Sequence, residues 1–339
     1  MSRTQVEEAL SLWGERLFYP RLKKYGRPGK NLRIRWRGNV RAKLMAIVRR
    51  APEVMVKVTG GGRGMGSIKA HMVYMSRRGQ LPVEDERGDV FLGKEALASL
   101  ADEWRLGGAE IPMRSHRREA FHVMLSMPAD TDPQAVLGAA REFAQAEFTQ
   151  HKFAMVLHEP GSDPDTKRPH VHLIVRAQGG DGKRLNPRKA DLAHWREVFA
   201  ERLRERGIAA SATRRQTRGQ LQPRKKLWEH HVQGVERSAW PLRPSARSAA
   251  TEAQVLQAWR EVASVLASSE DREDQALARE ALDYVSQMPS VMRRDALLRR
   301  IQKRSKDAST QPLVDRLTPD RGERSPPAPT LRRDRTRER

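Results

Sequence analysis

Two short apolar runs, each carrying histidine near one end, constrain this chain more than any other feature. The first is Phe153-Ala154-Met155-Val156-Leu157-His158, and the second is Pro169-His170-Val171-His172-Leu173-Ile174-Val175. Val, Ile and Phe favour the pleated surface of a sheet, and both runs have strand length. The segment between them, Glu159 to Arg168, is rich in Pro, Gly, Ser and Asp and reads as a loop. Alternate residues of a strand share a face. His170 and His172 therefore lie side by side, with Val171, Leu173 and Val175 behind them. If the runs pair as a hairpin, His158 ends one strand close to where His170 begins the next. Directly opposed residues of an antiparallel pair share a face, so three imidazoles would converge, a donor set that binds metal ions. A lone His-x-His is common in proteins that bind no metal, so the rest of the chain has to decide.

Upstream, Val6, Leu10, Trp13 and Leu17 recur at helical spacing and predict a helix over 4–18. Val54 to Val58 reads as a first strand, followed by a glycine-rich turn, Thr59 to Gly66. That turn lacks the Gly-Lys-Ser/Thr of a phosphate-cradling loop. Ser67 is a candidate N-cap for a helix over Ile68–Arg78, which Gly79 ends. Ile68, Met72 and Met75 form its buried stripe, and His71, Tyr74 and Arg78 fall on the adjacent one. A short strand at Asp89–Leu92, a helix over Lys94–Leu106 and a strand over Phe121–Ser126 come next. Asp132 as N-cap with Pro133 after it opens a helix running to about Phe148. Asp191–Arg206 is another helix, and two or three short ones follow at about 252–267, 271–287 and 291–304.

These elements predict an α+β domain with a largely antiparallel sheet. Helices are expected on the apolar face of Phe121, Val123, Leu125, Phe153, Met155, Leu157, Val171, Leu173 and Val175. The other face, with His122, His158, His170 and His172, is expected to stay open as the active-site face. The chain divides into a helical, basic N-terminal arm (1–50), a main domain (51–220), a basic linker with a small helical region (221–304) and a charged tail (305–339) too poor in apolar residues to form a core.

Charge narrows the partner. Sixty-five Lys and Arg against 42 Asp and Glu leave a formal charge of +23, which points to a polyanion and above all to nucleic acid. The basic run holds Arg33, Arg35, Arg37 and Arg41, and a second one holds Arg214, Arg215 and Arg218. Either could lie along a phosphate backbone or be a solvated linker. The chain has no cysteine, which excludes disulfides and thiolate metal sites. No run of about 18 apolar residues occurs, so no membrane insertion is expected. Residues 1–20 lack a signal-peptide core, and a cytoplasmic location follows as the expectation.

With these pieces in order, the chain resembles the relaxase/mobilization nuclease family, tyrosine endonucleases of the HUH superfamily that include the T-DNA border nickase. The first shared segment is Tyr74-Met75-Ser76-Arg77-Arg78-Gly79. The second is His122–Pro128 followed by a helix with Arg141-Glu142, and the third is Pro169–Val175 with His158 upstream. A fourth, Gly207–Gly219, carries Ala212-Thr213-Arg214-Arg215. The resemblance covers roughly residues 53–219, about half the chain. The loop from His158 to His170 is several residues longer than is usual for the family.

The resemblance implies a bacterial enzyme that nicks single-stranded DNA at the transfer origin of a plasmid or integrative element. Tyr74 would be the nucleophile and a 5′-phosphotyrosyl ester the intermediate. His158 (preferred over His151 and His122), His170 and His172 would hold a divalent ion, Mg²⁺ or Mn²⁺. Either Asp163 or Asp165 would orient a ligand histidine. Arg77 and Arg78 join the basic residues of the two runs as candidate DNA contacts. Accessory relaxosome proteins and a coupling protein would be partners. The rival readings are a rolling-circle replication initiator of the same superfamily, a non-catalytic basic DNA-binding accessory protein, and a structural metal hairpin in an RNA-binding protein.

Overall fold

A computed structural model describes residues 1–18, 40–163, 166–220 and 246–310. Arg33, Arg35, Arg37 and Asp165 lie outside the described residues. The chain forms a first compact unit, Met1–Ser290, and a second that begins at Val291. In order, the elements are α1 (Arg3–Phe18), α2 (Val40–Val48), β1 (Met55–Gly62), α3 (Met65–Met75), β2 (Val83–Asp85) and β3 (Val90–Phe91). Then come α4 (Lys94–Leu106), β4 (Ala120–Ser126), α5 (Pro133–Glu147), β5 (Phe153–His158), β6 (His170–Arg176) and α6 (Lys189–Glu205). The last are α7 (Ala246–Ala267), α8 (Arg272–Ser286) and α9 (Pro289–Thr310), which continues past the stretch predicted to be helical.

The sheet is six-stranded, in the order β1-β4-β6-β5-β2-β3, and every neighbouring pair is antiparallel. The α+β class and the antiparallel sheet are as the sequence predicts. On one face Val123, Leu125, Phe153, Met155, Val171, Leu173 and Val175 pack against Val136, Ala140 and Phe143 of α5 and Trp195, Phe199 and Leu203 of α6. Asp132 caps α5 by accepting hydrogen bonds from the backbone N–H groups of Gln134 and Ala135, each 3.1 Å. Truncating a ring such as Phe143 or Phe199, both wholly buried, would cost roughly 3–5 kcal/mol.

The other face is only partly open, which corrects the expectation of helices on one face alone. Ala120, Ala154, Val156 and Ile174 lie under Ile68, Met72 and Met75 of α3 and Leu97, Leu100 and Trp104 of α4. The physical reason is in the strands: β5 is apolar at both parities, as befits a strand covered on both sides. Residues on this face line up in rows. Ser126, His170 and His158 form the outermost row, Met124, His172 and Val156 the next, and His122, Ile174 and Ala154 the third. The helices roof the apolar end of the face, and His158, His170 and His172 occupy the other end.

Two further differences come from local chemistry. Gly60–Gly62 belong to β1 and pair with β4, so the glycine run is a strand end rather than a turn. A β-carbon on Gly60 would just touch the His122 ring, 3.4 Å from its Nδ1. Ser67 does not cap α3 from outside, since the helix already starts at Met65 and Ser67 donates its hydroxyl to the Gly64 carbonyl at 2.9 Å.

The first fifty residues contribute two helices that meet others from far along the chain. α1 packs on α2 and α7, and α2 touches α8. Val6 and Leu10 of α1 and Trp259 of α7 are wholly buried. Trp259 donates to the Thr217 carbonyl at 3.0 Å and packs on Tyr284 with ring centroids 5.3 Å apart. Arg41 lies between Glu7, 2.9 Å away, and the buried Asp274. Its charge is therefore used inside the protein. Among the described residues, no helix is long and apolar enough to cross a membrane.

Candidate active site

The hairpin places His158 directly opposite His170, with His172 one row inward. The three rings form a triangle: centroids are 5.1 Å apart for His158–His170, 4.7 Å for His158–His172 and 4.9 Å for His170–His172. One nitrogen of each lies within 4.8 Å of the others, a spacing that fits a single divalent ion. His170 directs Nδ1 at the Arg168 carbonyl oxygen, 2.9 Å away, which leaves Nε2 free as a ligand. Desolvation on the half-buried face lowers the pKa of His170 and takes His172 down to about 3. Both rings are then neutral at physiological pH, as ligation requires.

His158 is held from both sides. Its Nδ1 lies 2.7 Å from Oδ2 of Asp163, and its Nε2 lies 2.7 Å from the carbonyl oxygen of Met75. For His158 to serve as a ligand through Nε2, that nitrogen has to leave the carbonyl. Of the two acidic candidates, Asp163 occupies the orienting position. It is buried and also accepts from Thr166 Oγ1 at 2.9 Å and from Arg77 at 2.7 Å. Burial raises the Asp163 pKa, but hydrogen bonds from Arg77, Thr166 and His158 outweigh it and hold the carboxylate well below its ordinary range.

Tyr74 stands at the C-terminal end of α3, whose inner stripe of Ile68, Met72 and Met75 locks the helix onto the sheet. The tyrosine itself is 57 % exposed. Its ring lies 6.3 Å from that of His172, edge to face, and the Arg77 guanidinium is 5.6 Å from its centroid. The turn after α3 explains the Tyr-x-Ser-Arg-Arg-Gly spelling. Buried Ser76 accepts from the Gly79 backbone N–H at 3.0 Å. Gly79, at φ 86, passes so close to the Gly93 backbone that a β-carbon would come within 2.9 Å of it.

A second histidine pair borders this centre. His71, one turn before Tyr74, stacks on His122 with centroids 3.4 Å apart and an interplanar angle of 2°. The Nε2 atoms of both are buried without a hydrogen-bond partner. Desolvation lowers both pKa values to about 4, with repulsion from His71 and Arg118 adding to the effect at His122. A histidine whose folded-state pKa lies below its unfolded value of about 6.5 loses stability as pH falls through 6.5 toward 4. The melting temperature should therefore drop across that window, and less steeply in the variant His71→Phe/His122→Phe. Equal slopes in the two proteins, measured by thermal unfolding from pH 7 to pH 4, would contradict this. The spacing of His71 to Tyr74 was legible in the sequence, but the His71–His122 stack was not.

The other basic candidates scatter. Arg78 is exposed, and Arg77 is committed to Asp163. Arg215 is exposed, Arg214 half-buried, and Arg218 pairs with Glu53 at 3.1 Å. His151 lies away from the trio, with Nδ1 directed at the Arg176 carbonyl, 2.9 Å away.

Residues 89–208 match the profile of the Relaxase family, described as MobA/VirD2-like, nuclease domain. That stretch contains all three histidines but not Tyr74. The chain is 26 % identical over 189 residues to T-DNA border endonuclease VirD2 of Agrobacterium fabrum strain C58, and likewise to that of Rhizobium radiobacter. Each match covers 50 % of this chain and 41 % or 43 % of the relative, so the chain spans less than half the length of either. A solved structure titled "Molecular Basis of Vancomycin Resistance Transfer in Staphylococcus aureus" matches 48 % of the chain and 99 % of its own, at 13 % identity and a TM-score of 0.31. That likeness is too weak to build on. The family resemblance read from the motifs is supported by the profile and by the VirD2 relatives.

Proposed function

We propose that this chain is a relaxase-type DNA nickase that cuts one strand by transesterification and keeps the 5′ end on Tyr74. The observation that carries the reading is the juxtaposition of an exposed tyrosine with a three-histidine centre, 6.3 Å from ring to ring at His172. Either feature alone has a bland explanation. A tyrosine at a helix end is usually packing, and a histidine trio can be structural. Here the ring is turned outward at the edge of the centre, where a phosphate could meet both.

The reaction assigned to these residues is balanced. The Tyr74 hydroxyl attacks a phosphodiester, the O3′–P bond breaks, and the 3′-hydroxyl leaves with the proton that the phenol gives up. The new phosphotyrosyl ester keeps the energy of the broken bond, so a second 3′-hydroxyl can reverse the step. A divalent ion, Mg²⁺ or Mn²⁺, held by His158, His170 and His172 would supply positive charge to the phosphate oxygens. Asp163 holds His158 in orientation, and α3 holds Tyr74 by its buried stripe. The formal charge of +23 suits a polyanionic strand. On this reading the substrate is single-stranded DNA at a transfer origin, with accessory relaxosome proteins and a coupling protein as partners.

The test is an oligonucleotide carrying the candidate nick site, labelled 3′ of it, incubated with Mn²⁺ and then denatured. The expected result is label migrating with the protein, and none when the metal is chelated. Free labelled product with no protein-linked strand would mean hydrolysis by water, and the reading would fail.

A further inference from the structure

We propose that Arg77 is a positioning residue that ties the nucleophile to the histidine centre through Asp163. The proposal rests on the reading that Tyr74 and the trio form one active site.

Arg77 follows α3 at φ 50, and Arg78 follows it at φ 61. Two successive non-glycine residues in the left-handed region are an uncommon arrangement that the surroundings must hold in place. What this turn achieves is visible in the contacts. It folds the Arg77 side chain back beside Tyr74, with the guanidinium 5.6 Å from the ring centroid. From there Nε and Nη2 donate to Oδ2 of Asp163 at 3.2 and 2.7 Å. The same oxygen lies 2.7 Å from Nδ1 of His158 and accepts from Thr166 at 2.9 Å. One chain of contacts therefore runs from the Tyr74 ring through Arg77 and Asp163 to His158.

A second tie runs parallel to it, from the carbonyl of Met75, the residue after Tyr74, to Nε2 of His158 at 2.7 Å. The end of α3 and the buried ligand histidine are thus fastened at two points. If His158 turns Nε2 toward an ion, the backbone tie breaks and the Arg77–Asp163 link remains. Arg77 then keeps the phenol at its distance from the centre while its partner carboxylate keeps the imidazole oriented. An arginine whose fork is engaged on a buried carboxylate is not also available to bracket a phosphate. The DNA-contact role expected of Arg77 from sequence therefore gives way to this one.

The experiment compares the full chain with Arg77→Gln and Arg77→Lys in three readouts. Mn²⁺ affinity is measured by calorimetry without DNA, oligonucleotide affinity across a salt series, and single-turnover cleavage at saturating Mn²⁺. For Arg77→Gln the account expects Mn²⁺ affinity to fall about 10- to 100-fold, the scale of losing a group that orients a ligand. Cleavage should fall with it, and the slope of log K against log salt should not change. Arg77→Lys keeps a charge near Asp163 and should recover part of the Mn²⁺ affinity. It should stay slow in cleavage, because a single ammonium cannot span Asp163 and the Tyr74 ring as a planar fork does. Unchanged Mn²⁺ affinity in a folded Arg77→Gln, with a salt slope smaller by about one, would make Arg77 a phosphate contact and overturn the proposal. Should Arg77→Gln fail to fold, Arg77→Lys decides alone: Mn²⁺ affinity and cleavage both at wild-type level would overturn it. The Mn²⁺ titration uses no DNA, so its outcome stands apart from whether the wild type cleaves.

Discussion

Tyr74→Phe is expected to fold, to bind Mn²⁺ and single-stranded DNA as the wild type does, and to form no protein–DNA adduct. The substitution removes one oxygen from a ring that is 57 % exposed. Its packing is carried by the other stripe of α3, through Ile68, Met72 and Met75. The change in stability should therefore stay within about 0.5 kcal/mol, the usual range for a surface site. The ring also keeps its edge-to-face contact with His172 and its place beside Arg77, so the rest of the centre is undisturbed. Loss of the attacking oxygen, in contrast, leaves nothing to form the ester, and adduct formation should fall by roughly 10⁴-fold or more. Denaturing gels after incubation with a labelled oligonucleotide measure this directly. An adduct of wild-type intensity on the Tyr74→Phe protein would move the nucleophile elsewhere. Among the described residues Tyr284 is a poor substitute, because it packs on Trp259 and burial raises its pKa.

The second large effect is expected at His170 and His172. His170→Ala and His172→Ala should each weaken Mn²⁺ binding by more than about 100-fold, beyond the loss seen when only an orienting group is removed. Both should abolish metal-dependent cleavage while sequence-specific DNA binding persists. These two residues are the informative ones because both are only half-buried, and His172 meets its neighbours through ring contacts. His158→Ala is less clean. It would leave Asp163 and the Met75 carbonyl without their imidazole in a buried setting, at a cost of about 1–3 kcal/mol. Mn²⁺ affinity unchanged in both His170→Ala and His172→Ala, by calorimetry, would remove the metal from the account.

The hairpin was legible because its signals are local. Two apolar runs, a loop rich in turn residues and a period of two were enough to predict that His158 would face His170, and the pairing follows that register. What sequence reading missed depends on contacts made across the fold. Val156 and Ile174 share the histidine face, and only the arrival of α3 and α4 decides that this end is roofed. α2 went unseen because Arg41 and Lys43 disguise the buried stripe of Val40, Leu44, Ile47 and Val48. Both charges are matched by residues far along the chain, Asp274 for Arg41 and Glu197 for Lys43. The choice of Asp163 follows from the path of a loop, which no periodicity encodes. The same holds for Arg77, whose left-handed backbone turns a side chain that reads as a surface cation into a buried carboxylate's partner.

The most direct measurement of the central claim is the position of the phosphate in the wild-type adduct. The protein, joined to an oligonucleotide and denatured, is digested with trypsin and nuclease and read by mass spectrometry. Cleavage after Lys69 and Arg77 releases a peptide from Ala70 to Arg77 that contains Tyr74 as its one tyrosine. The account predicts a nucleotide phosphate on that peptide, fragmenting at Tyr74. A phosphate on a peptide carrying Tyr19, Tyr25 or Tyr284, or a cleaved strand with no modified peptide at all, would contradict it.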